Sequence, residues 1–146
     1  EIGVRLVGSE MCIRDSVYSP AADTWTPLPE VVNEAGETVS LGGGVATAWG
    51  KNLIICMGGV DKDIFLRALQ KPAADYLTHP VEWYRFNKRI LVYDVRLQEW
   101  QTIACTPDTA RAGAALVICG KNIFCINGEL KPGVRTPGIT RIAIKE

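Results

Sequence analysis

What most constrains this chain is that it repeats itself. Residues 43–58 read GGVATAWGKNLIICMG and residues 113–128 read GAALVICGKNIFCING. Each copy is an apolar run, a Gly-Lys-Asn corner and a second apolar run that ends at glycine. A corner of that type between two β-prone runs predicts a hairpin. A second pair interleaves with the first: Val17-Tyr18 followed by Trp25 recurs as Val92-Tyr93-Asp94 followed by Trp100, with equal Tyr-to-Trp spacing. That spacing puts Tyr and Trp on facing strands of another hairpin. Units of this kind cannot bury their apolar faces alone, so they must stack on one another.

Alternating small-residue hairpins and Tyr/Trp hairpins resemble kelch repeats, whose period is about 50 residues and whose unit is one four-stranded blade of a β-propeller. The expected class is therefore all-β, a kelch-type propeller. Residues 17–30 are expected to form the outer half of one blade and residues 41–104 a complete blade. Residues 111–146 would supply an inner half-blade and a closing strand at ITRIAI. The full blade carries an insertion, residues 61–87, between its second and third strands; Leu66–Gln70 suggests a short helix there. Tyr18, Trp25, Tyr93 and Trp100 are expected to pack between blades, with Trp49 at the end of an inner strand. About two blades leave sheet edges and half-cores open, so the chain is expected to be a piece of a larger toroid. Residues 1–16, EIGVRLVGSEMCIRDS, stand apart: Leu6 to Ser16 back-translates into a common short-read library adapter. They are read as translated adapter, with the natural sequence starting near Val17 and its true N-terminus missing.

Acidic and basic residues balance at 16 each and no Lys/Arg-rich run occurs, which argues against a nucleic acid or a membrane surface as partner. No apolar stretch approaches the length of a spanning helix. Of five cysteines, Cys56, Cys119 and Cys125 fall in apolar strand runs and are expected to be buried thiols. There is no C-x-x-C pair and a single histidine, His79, in the polar insertion, so no metal site is expected.

One loop stands out chemically. The strand-type run KNIFCI ends at Asn127-Gly128, and Glu129 follows at once. Lys131-Pro132-Gly133 then forces a turn, because proline fixes φ and glycine accepts positive φ. The turn brings Arg135 back towards Glu129. A carboxylate and a guanidinium on one short loop can serve as a general base and an anion grip; the alternative is a surface turn with a solvated ion pair.

The wider pattern resembles a family. Gly58-Gly59-Val60-Asp61-Lys62-Asp63-Ile64-Phe65 is similar to the GGV-N-K-x-I-F segment of bacterial sialic acid mutarotases (N-acetylneuraminate epimerases). Phe86-Asn87-Lys88 resembles the end of their insertion, and residues 127–136 resemble their N-G-E-[IL]-K-P-G-[LV]-R-T motif nearly residue for residue. Ending soon after that motif resembles the cyclically permuted branch. The resemblance implies a six-bladed kelch propeller that interconverts the α and β anomers of N-acetylneuraminic acid without cofactor or metal, in the periplasm. It places the family's proposed catalytic base on Glu129 and the Arg of the same motif on Arg135. Asp61 and Lys62, with Asp63, are candidates for the pocket wall, and Lys131 for added positive charge near the substrate. Two alternatives stay open: a non-catalytic kelch module that binds a protein or glycan through its loops, and a copper-radical oxidase, against which the scarcity of histidine counts.

Overall fold

The computed structural model describes residues 16–33, 35–71 and 73–144. The segment read as adapter-derived, apart from Ser16, lies outside the described residues, as do Lys145 and Glu146. Among the described residues the architecture is all-β with one α-helix, laid out as antiparallel sheets of a kelch-type propeller.

Strands β1 (Ser16–Ser19) and β2 (Thr24–Pro27) form a hairpin that pairs Tyr18 with Trp25. Strands β3 (Val45–Trp49), β4 (Leu53–Met57), β5 (Arg89–Asp94) and β6 (Glu99–Cys105) form a four-stranded sheet in sequential order. Its outer hairpin pairs Tyr93 with Trp100, as the inner one turns at Gly50-Lys51. Strands β7 (Ala115–Cys119) and β8 (Asn122–Ile126) form the hairpin of the second copy. Strand β11 (Ile139–Ala143) adds to the far side of β8, giving the order β11-β8-β7.

The period-2 alternation of β4 and β5 explains how the sheets stack. Ile55, Met57, Ile90 and Val92 point to one side and meet Ile123 and Cys125 of β8, joined by Leu116, Ile118 and Ile142. Cys56 and Leu91 point to the other side and meet Val31, Leu41 and Trp100. The central strands β4 and β5 are thus buried on both faces, while the edge strand β6 stays largely exposed. Each fully buried Ile or Met contributes about 1.5–3 kcal/mol. The Trp100 indole donates to the Pro29 carbonyl at 3.0 Å, tying the outer edge of this sheet to the segment that leaves β2.

Two expectations need correction. Trp25 packs on Tyr18, ring centroids 4.9 Å apart, but is otherwise 69% exposed; among the described residues no sheet covers that side of its hairpin. Cys119 is exposed, because it follows Ile118 by one residue and the pleat turns it to the opposite face. Cys56 and Cys125 are buried.

Between β4 and β5 the chain leaves the sheet through Gly58-Gly59 and returns at Asn87. Helix α1 spans Lys62–Gln70, earlier than the Leu66 start suggested by the apolar residues, because the Asp61 carboxylate caps it by accepting from the Ile64 amide at 3.0 Å. A short 3-10 helix, Val81–Tyr84, follows. Asn87 closes the neck of the insertion: its side-chain amide donates to the Gly58 carbonyl at 3.0 Å and its backbone N–H to the Gly59 carbonyl at 2.9 Å.

Candidate functional site

The site loop grows out of β8. After Asn127-Gly128 the chain enters β9 (Glu129–Lys131), turns through Pro132-Gly133 and returns as β10 (Val134–Arg135). The two short strands pair so that Arg135 lies opposite Glu129, with a register shift at Val134/Arg135. Glu129 is fixed from below by a reciprocal main-chain pair with Ala112, at 2.8 and 3.0 Å. Its backbone position is therefore set by the sheet rather than by the loop tip. Arg135 Nε stands 3.6 Å from Glu129 Oε1, with the Arg135 side chain 87% exposed and that of Glu129 36%. An ion pair so exposed contributes less than about 1 kcal/mol to stability, so both groups remain available to a ligand. They line one open cavity of about 640 Å³, with Ala112, Gly113, Thr136 and Pro137 on its other walls.

The remaining candidate residues take different places. The Asp61 carboxylate is occupied by the α1 cap and by Arg85, whose Nη2 lies 3.1 Å away. Asp61 still reaches a neighbouring cleft of about 410 Å³ that shares Glu129 and Ala112 with the main cavity and is otherwise apolar, lined by Phe65, Leu69 and Tyr76. Lys62, at the start of α1, lines a further cleft with Arg85 and Asn87. Lys131 does not simply project from its turn. Its ammonium donates to the carbonyls of His79 at 2.6 Å and Leu77 at 3.2 Å, and lies 5.8 Å from the Tyr84 ring centroid. It latches the site loop to the insertion. His79 stacks on Trp83 and stands 3.5 Å from Asp75, on the insertion.

Beneath the loop lies Arg111, 8% exposed. Its Nη1 donates to the Gly138 carbonyl at 2.7 Å and to the Asn127 carbonyl at 3.2 Å, and its Nη2 to the Thr140 hydroxyl at 2.7 Å. Among the described residues no three His, Cys, Asp or Glu side chains gather as a metal site would require.

A family model described as N-acetylneuraminate epimerase matches residues 7–146. The chain belongs to that family. An N-acetylneuraminate epimerase of Salmonella paratyphi B is 30% identical over 137 residues, which cover 85% of this chain and 34% of that protein. One from Brucella melitensis is 28% identical over 141 residues, covering 89% and 36%. The solved structure of YjhT superposes with a TM-score of 0.69 at 28% identity, over 89% of this chain and 40% of that one. The chain spans about a third of the length of the curated relatives it matches.

For this N-acetylneuraminate epimerase family member, the sequence singled out the loop that carries Glu129 and Arg135 and the Phe86-Asn87-Lys88 motif, but not Arg111 or the packing of Tyr76, Trp83, Tyr84 and Phe86 into one aromatic cluster. A signal for Arg111 was present: a lone arginine directly before the small-residue run Ala112-Gly113-Ala114-Ala115. Only the fold reveals that its acceptors sit at the two ends of the site loop.

Proposed function

We propose that the protein carrying this chain interconverts the α and β anomers of N-acetylneuraminic acid by acid–base ring opening. Glu129 removes the proton of the anomeric hydroxyl while the ring C–O bond breaks and the ring oxygen is protonated. The open-chain keto form turns about its C–C bond and recloses on the other face. Both exchanging oxygens are attached to one carbon, so a single carboxylate can take the proton from the first and return it to the second. Arg135 grips the sugar carboxylate, for which its planar fork of N–H donors is matched. The observation that carries this reading is the Glu129–Arg135 pair on one wall of an open cavity, on a chain of the N-acetylneuraminate epimerase family. Ring opening already proceeds in water, so the roughly 10²–10⁴-fold that a positioned acid–base group supplies is enough.

The test is proton NMR of freshly released α-sialic acid with the full-length protein and its Glu129→Gln variant. Accelerated conversion to the β anomer that the variant loses, by roughly 10²-fold or more, supports the reading. A folded wild-type protein without acceleration turns the assignment first to another sugar acid and then to a loop-binding kelch module. A periplasmic location belongs to the same proposal, and cell fractionation checks it.

A further inference from the structure

We infer that Arg111 is a positioning residue for the site: its buried guanidinium clamps the neck of the loop that presents Glu129 and Arg135. The inference rests on the reading of that loop as the reactive site. Asn127 and Gly138 are the last residues before the loop leaves β8 and β11, and the Asn127 amide already donates to the Gly138 carbonyl at 3.0 Å. Arg111 Nη1 bonds both of their carbonyls, and Nη2 bonds the hydroxyl of Thr140, two residues beyond Gly138. The Thr140 hydroxyl donates in turn to the Asp108 carbonyl at 3.2 Å. The residue after Arg111, Ala112, holds the Glu129 main chain. One dipeptide therefore grips the loop twice, at its neck by a side chain and at Glu129 by the backbone.

The chemistry of the clamp is unusual for a purely stabilising contact. Arg111 is a cation more than nine-tenths buried, its acceptors among the described residues are the neutral carbonyls of Asn127 and Gly138 and the Thr140 hydroxyl, and its Nε has no hydrogen-bond partner. Burying a cation against neutral partners is costly, and an apolar side chain of similar volume would avoid that cost. What an apolar residue could not do is hold two carbonyls at a fixed separation. Lysine would keep the charge but not the planar fork. Sites of this kind need their reactive groups held by supporting groups that are themselves locked.

The experiment compares the full-length wild type with Arg111→Lys and Arg111→Ala, and measures amide hydrogen exchange of residues 128–136 beside NMR kinetics of anomer conversion. For folded Arg111→Lys we expect loop exchange to rise and kcat to fall at least roughly tenfold, as a small misplacement of a reacting group does. KM should change little, because the exposed Arg135 side chain can still find a carboxylate. Free guanidinium added to Arg111→Ala should restore part of kcat. Folded variants with wild-type loop exchange, or with wild-type kcat, overturn the inference. Thr140→Val, which removes the Nη2 acceptor and its bond to the Asp108 carbonyl, serves if the arginine variants do not fold; unchanged loop exchange and kcat there overturn it equally. A wild type that converts no anomers defeats the substrate reading, while loop exchange still decides whether Arg111 is a clamp.

Discussion

Gly58 and Gly133 share a left-handed backbone, φ +71° and +76°, and differ in their surroundings. A Cβ on Gly58 would lie 2.2 Å from the Arg111 carbonyl, whereas one on Gly133 meets nothing within 4 Å. Gly133→Ala should therefore cost about 1 kcal/mol, the conformational term alone. Gly58→Ala must also displace the backbone next to the site and should cost more than about 3 kcal/mol; denaturant unfolding of the two variants checks the difference. The repeat sharpens the contrast one residue further on. Gly59 is crowded by the carbonyls of Gly42 and Ser40, while the matching position in the second copy is Glu129, extended and facing a cavity. The repeat that reveals the fold also shows where the second copy departs from it, and the departure is the candidate base. What the repeat did not show is where the side chains of Asp61 and Lys62 go, because capping and ion pairing within the insertion decide that.

At the scale of elements, the insertion and the site loop act as one body through Lys131. Its two carbonyl partners lie more than fifty residues away in sequence, so no local pattern could announce them. Lys131→Met should loosen the insertion by about 1 kcal/mol and speed limited proteolysis between residues 71 and 80, with a smaller effect on KM for the sugar. A KM rise without faster proteolysis would return Lys131 to the substrate. The β strands were legible from alternation and the Gly-Lys-Asn corners, and α1 was legible as a helix though not in its first turn. Cys119 was misread because an apolar run does not say which face of a strand will be covered. Its exposure predicts that Cys119 is alkylated well before Cys125 in this chain when folded, which peptide mass mapping checks.

For the molecule as a whole, stability resides between the sheets. Met57 is fully buried between β4 and the β7–β8–β11 sheet, and Met57→Ala should cost about 2–5 kcal/mol, read as a lower denaturant midpoint. Burial raises the Cys125 thiol above its ordinary value, against a smaller lowering by Arg111. The unfolded chain then releases that proton first. The stability this group contributes is present below the ordinary thiol range and lost as pH rises through it, so the denaturant midpoint should fall on the alkaline side and Cys125→Ala should flatten that fall. Val117 and Trp25 stay exposed on the flanking sheets and Ile103 on the edge strand β6, where the central strands β4 and β5 are covered on both faces.

The all-β class, the hairpins, the Tyr/Trp pairing and the loop that turns Arg135 back towards Glu129 were all readable from the order of residues. These follow from period-2 alternation, turn chemistry and repetition, all of which act over a few residues or recur along the chain. That Arg111 lies beneath that loop, that Lys131 binds the insertion and that Lys62 lines a cleft with Arg85 and Asn87 became visible in the folded chain alone. Those outcomes depend on which carbonyls and carboxylates distant segments bring within hydrogen-bond reach, and packing alone sets that.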